Sequence, residues 1–180
     1  HIQPATEDVS QMVAHALFSD AAAAVVLMPS DAAGPKGISG LSFVDMVAVA
    51  DHSTADHMTW DITDLGFRMG LSPQVPSVLA RHVGAVVRDR LLAPHGLTPA
   101  DVAGWAVHPG GRRILEVVEE QLELPPSAMA PSYAILDANG NCSSGTVLMV
   151  LEQLPPDPGP VVAMAFGPGL TLYAALLHRR

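Results

Sequence analysis

The chain has 180 residues, 49% of them hydrophobic and 15% charged, which is enough to bury one sizeable core and too apolar for a disordered segment. A formal net charge of -9 supplies no basic stripe to neutralise phosphates and argues against a nucleic-acid surface. The one cysteine, Cys142, has no disulfide or metal-binding partner of its own kind, which points to a reducing, cytoplasmic setting. No apolar run approaches the roughly 20 residues that span a bilayer, so no membrane span is expected. The chain starts at His1 with neither an initiator Met nor a charged and then apolar leader, and reads as a piece of something longer.

In chain order, Asp8 to Phe18 predicts a helix, Ser19-Asp20 a turn, and Ala21 to Met28 a buried strand. PSDAAGPKGISG is a loop, Leu41 to Ala50 a second strand, and Asp51 to Asp64 a loop or short strand. After Pro76, the residues Val78, Leu79, Val83, Val86, Val87, Leu91 and Leu92 recur at helical spacing, with a stop near Pro94-His95-Gly96. Thr98 to Asp101 begins a helical turn, and Val102 to Val107 is a short strand that ends at His108. The next helix turns Ile114, Leu115, Val117, Val118 and Leu122 inward, and Pro125-Pro126 stops it. Tyr133 to Leu136 is brief and apolar, Asn139-Gly140-Asn141 is a turn, and Ser143-Ser144 start a helix over Thr146 to Leu154. PPDPGP is an exposed loop, and strands at Val161 to Phe166 and Leu170 to Leu177 flank the tight turn GPG. Strands alternating with helices define an α/β class, taken as one domain over residues 1–180.

Three motifs stand in order: WAVHPGGRRILEVVEEQL (Trp105 to Leu122), GNCSSGTVLMVLEQL (Gly140 to Leu154) and FGPGLTLYAALLH (Phe166 to His178). Together with HALFSDAAAAVV near the start, they resemble the C-terminal half of type III polyketide synthases, the chalcone synthase-like enzymes of the thiolase superfamily. The resemblance implies half of a thiolase-type αβαβα sandwich, whose five-element mixed sheet packs against a similar N-terminal half. Alone, this half should leave one layer exposed.

What the resemblance implies chemically is acyl transfer with decarboxylative Claisen condensation between an acyl-CoA starter and malonyl-CoA. CoA thioesters are substrates there, and no cofactor or metal is implied. The family uses a Cys, a His and an Asn, and His108 and Asn141 match the last two. Loss of CO2 from a malonyl thioester leaves an enolate oxygen, and two N–H donors without a carboxylate suit it. An imidazolium at His108 would also favour the thiolate of the Cys, which lies in the half not matched by this chain. A homodimer and a pairing with that N-terminal half are implied, and the chain alone should not condense.

Taken singly, a His beside a Gly pair and an Asn in a Gly turn are ordinary structural residues; the combined pattern is what favours catalysis. Cys142 reads as a small packing residue at a helix start, not a nucleophile, and no G-x-S-x-G is present. Carried over as pocket residues are Phe18, Trp60, Met69, Ser143, Phe166, Gly167, Pro168 and Gly169. Met69 falls where many members have a second gating Phe, and Trp60 stands at a cavity-wall position that is often small, or is simply core. Ser19, Ala21 and Ala165 depart from glycines usual in the family. Arg112 and Arg113, at a helix start after HPGG, suit a CoA phosphate or are solvated cations balancing the glutamates downstream. Asp51, His52, Asp56, His57 and Asp61 read as a solvated loop in preference to a metal site. Two rival readings remain, a ketoacyl-ACP synthase III-type initiator and a non-catalytic interaction domain on the same fold.

Overall fold

The computed structural model describes residues 9–29, 40–64 and 66–180, except for the side chain of Ser10. The expected loop at PSDAAGPKGISG falls almost wholly outside them. Helix α1 spans Val9–Leu17 and leads into Phe18. Strand β1, Leu41–Ala50, is followed by a hairpin of β2, Met58–Thr63, and β3, Gly66–Leu71. Helix α2, Val75–Gly84, continues as a wider π turn over Ala85–Leu92. There, hydrogen bonding between residues five apart keeps Val86 in line with Leu91 and Val87 with Leu92, and all four are buried. The helix ends where Gly96 takes a left-handed conformation at φ 68.

Strand β4, Gly104–Val107, delivers His108 and is buried along its whole length. Helix α3, Arg112–Leu122, buries the five apolar residues expected of it. Helix α4, Ala130–Asn139, covers the stretch left without an element by its sequence, opened by a proline in its first turn. Helix α5 runs over Gly145–Gln153, and β5, Gly159–Gly167, and β6, Thr171–Arg179, close the chain.

The main sheet is mixed, in the order β1-β6-β5-β4, with β4 parallel to β5 and the other pairs antiparallel. It has four strands among the described residues rather than five. The strand expected at Ala21 to Met28 does not form, and the segment is not buried: Val26 is 84% and Leu27 90% exposed. An apolar, β-branched run becomes a strand only where a neighbour offers a ladder, and among the described residues none does.

One face of the sheet packs on α2, its π extension and α3, where Leu79, Val87, Leu92, Leu115, Val118 and Leu176 form the main core. On the other face α4 and α5 cover β4 and part of β5, with Ile135, Val150, Leu154 and Val161 between them. Beyond these helices Met46 and Tyr173, about half exposed, leave the β1–β6 part of that face open.

Candidate active site

The ends of several elements converge on one open cleft of about 890 Å³. Its walls are α1 with Phe18, the β2–β3 hairpin, the start of α2, the turn at residues 108–111, the Asn141 turn and the end of β5. His108, Asn141, Phe18, Trp60, Met69, Ser143, Phe166, Gly167, Pro168, Arg112 and Arg113 all line it. Gly169 stands just outside it, next to Pro168, with a φ of 92 that serves the tight turn between β5 and β6.

His108 leaves β4 with its N–H still donating to Met164 O at 2.8 Å, so the sheet ladder fixes its backbone. Just before it, Val107 N–H donates to the fully buried Ser132 Oγ of α4 at 3.2 Å. Ser132 carries no sequence signal, since a serine inside a helix says nothing of a strand 25 residues earlier. The His108 ring is 9% exposed, and burial pushes its pKa down to about 4. The side chain is therefore neutral at neutral pH, with a ring N–H to donate. A neighbouring anion, such as the thiolate that the resemblance implies in the other half, would offset that desolvation and favour the imidazolium.

Asn141 sits in a turn whose geometry leaves its amide little choice. Gly140 takes φ 70 and Ser143 takes φ 58. Ser143 N–H donates to Asn141 Oδ1 at 2.9 Å, so Nδ2 becomes the outward donor and meets Gly110 O at 3.4 Å. Gly110 is also next to the imidazole, for a methyl there would lie 3.8 Å from His108 Nε2. The two donors thus flank one glycine of the HPGG turn.

Trp60 and Met69 are cross-strand partners in the hairpin. The indole packs against Phe18 at 6.4 Å and edge-on to Phe67 at 6.2 Å between ring centroids, so Trp60 is both cleft wall and aromatic cluster. Tyr173, which the sequence reading did not single out, also lines the cleft. Arg113 binds Glu120 at 2.8 Å and Glu116 at 3.1 Å, and those carboxylates hold its pKa above the usual value. The Arg112 guanidinium lies 5.5 Å from the centre of the Tyr133 ring. Both cations reach the cleft rim while being balanced within their own helix.

Cys142 is buried, with Sγ 3.2 Å from Ser19 Oγ and 3.4 Å from Asn139 O. In the Asp51 to Asp61 stretch, the Asp51 carboxylate accepts from Ser53 and meets His82 Nε2 at 2.8 Å, contacts that hold its pKa well below the usual carboxylate range. Among the described residues no three His, Cys, Asp or Glu side chains converge as a metal site. No helix among them is long and apolar enough to cross a membrane.

A mixed α/β half-sandwich with a cleft that joins an imidazole to a carboxamide is the C-terminal half of a thiolase-like fold. The chain belongs to the chalcone and stilbene synthase family, matching its C-terminal domain over residues 48–179. It is 39% identical to a 1,3,6,8-tetrahydroxynaphthalene synthase of Streptomyces peucetius subsp. caesius, over 94% of this chain and 46% of that protein. It is 34% identical to a 3,5-dihydroxyphenylacetyl-CoA synthase of Amycolatopsis orientalis, over 92% of this chain and 45% of that one. The crystal structure of PKS-I from the brown alga Ectocarpus siliculosus superposes with a TM-score of 0.82 at 30% identity, covering 97% of this chain and 48% of the other. The chain thus spans about half the length of the curated relatives it matches.

Proposed function

We propose that the chain supplies the oxyanion-binding half of a type III polyketide synthase that extends acyl-CoA starters with malonyl-CoA. The observation that carries this reading is the pairing of a buried, neutral His108 with an Asn141 amide whose Oδ1 is already occupied, both beside Gly110 in an open cleft. In the proposed cycle a cysteine thiolate from the other half of the parent protein accepts the starter acyl group and releases CoA. Malonyl-CoA then loses CO2, and the electron pair of the broken C–C bond becomes an enolate. His108 and Asn141 donate to its oxygen, and a low-dielectric cleft makes those bonds count. The enolate carbon attacks the acyl thioester, and the C–S bond breaks to return the thiolate.

Cys142 is not that thiolate, because its sulfur is buried against Ser19 and Asn139. The indole of Trp60 takes up cleft volume, which suits short chains. Arg112 and Arg113 stand at the rim where a CoA phosphate would pass. The parent enzyme is proposed to be a cytoplasmic homodimer, with no metal or organic cofactor in the condensation.

The test is condensation by the full-length parent with radiolabelled malonyl-CoA. His108→Ala and Asn141→Ala should each lower turnover by roughly 100- to 1,000-fold, the usual loss for one oxyanion donor. Trp60→Gly in the same enzyme should shift products toward longer chains, and the present chain alone should form none. Full activity in both alanine variants would favour a non-catalytic domain, and exclusive use of acyl-carrier-protein substrates would favour a ketoacyl-ACP synthase III-type initiator.

A further inference from the structure

We infer that Ser19 is a positioning residue: it pins the strap that carries Phe18 onto the turn that carries Asn141, and so fixes where the Asn141 carboxamide points. The two segments meet as a short parallel bridge with Phe18 opposite Asn141. Asn141 N–H donates to Leu17 O at 2.8 Å, and Ser19 N–H donates to Asn141 O at 3.0 Å. Any residue at position 19 with a backbone N–H could make that much of the contact. The serine hydroxyl adds a second fastening, since it donates to Asn139 O and lies 3.2 Å from Cys142 Sγ. The thiol also donates toward Asn139 O at 3.4 Å, so hydroxyl and thiol converge on one carbonyl of the turn. Ser19 thereby grips the turn on both sides of Asn141.

The approach is close enough to constrain the sequence beneath it. A methyl on Gly140 would lie 2.9 Å from Leu17 O and 3.5 Å from Ser19 Cβ, at a φ of 70 that already favours glycine. Beyond the turn, Ser143 N–H holds Asn141 Oδ1 and leaves Nδ2 beside Gly110. The orientation of the amide therefore depends on the turn, and the turn on the strap. Because the strap also carries Phe18, Ser19 couples two walls of the cleft. The catalytic consequence rests on reading Asn141 as an oxyanion donor; the anchoring itself does not.

The sole thiol of the chain is the probe. In Ser19→Ala, Cys142 should react with a thiol reagent roughly tenfold faster, the loss expected for one hydrogen bond, with a fall in the urea midpoint no larger than that bond explains. The Asn141 side-chain NH2 resonances should move with it in a 15N spectrum. Ser19→Thr keeps the hydroxyl, and because position 19 is exposed its extra methyl has room, so it should restore both readouts. Unchanged labelling and NH2 signals in Ser19→Ala would overturn the proposal. So would a fall in the urea midpoint larger than that one bond explains, or a Ser19→Thr variant that behaves as the alanine does. These readouts do not depend on whether Asn141 is catalytic, so a failure of the functional reading shows only in the condensation assay.

Discussion

The His108 ring is kept dry by the packing around it. An ordinary imidazole takes up a proton near pH 6.5, and burial lowers this one to about 4. In the unfolded chain the ring regains the ordinary value, so between those two pH values the unfolded state binds the extra proton. The fold is at full strength above about pH 6.5 and weakens as pH falls toward 4, by up to ~3 kcal/mol for this group. Urea titrations at stepped pH should show that decline in the wild type and a flatter profile over this window in His108→Gln; parallel profiles would mean that the ring is not desolvated. His108 and Asn141 were legible in the sequence because each sits in a motif with fixed turn residues. Ser132 was not, because its bond to Val107 joins a helix to a strand with no local pattern. Gly169 belongs to a tight turn beside the cleft, where its φ of 92 serves the backbone.

Among the elements, α1 is tied to the hairpin by a buried polar bond. Gln11, buried, donates from Nε2 to Met69 O at 2.7 Å and so joins the helix to the strand that forms the facing cleft wall. Gln11→Ala leaves that carbonyl without its partner and should cost about 1–2 kcal/mol. The loss should be local: amide exchange of Val9–Leu17 should accelerate while β5 and β6 keep their protection. Equal protection of α1 in the variant would show that apolar packing alone holds the helix. At this scale the sequence was clearest where periodicity was long, as for α2 and α3. Helix α4 was hidden because it buries only Ser132 and Ile135 and shows no apolar stripe. The strand expected at Ala21 to Met28 failed for the opposite reason, since composition reports what a segment would pair with, not whether a partner stands beside it.

For the molecule as a whole, the unburied apolar surface sets what the chain does in solution. Val26 and Leu27 stand on the segment after Phe18, Ile62 is 85% exposed on the hairpin, and Phe43 and Met46 stand on β1, an edge strand of the sheet among the described residues. A stable monomer seldom leaves so many large side chains in water, and an unpaired edge beside them offers a template for another strand. The relatives of this chain are about twice its length. The chain by itself has only a second copy to turn to. Sedimentation equilibrium should therefore show mass rising with concentration, and a dye specific for exposed apolar surface should bind the monomer more than the associated form. Val26→Glu combined with Leu27→Glu places charge on the most exposed segment while touching nothing in the core, so it should shift the equilibrium toward monomer at an unchanged urea midpoint. A wild-type chain that stays monomeric at all concentrations and binds no dye would mean that these side chains find cover within the monomer, and the half-sandwich would then be a self-sufficient fold.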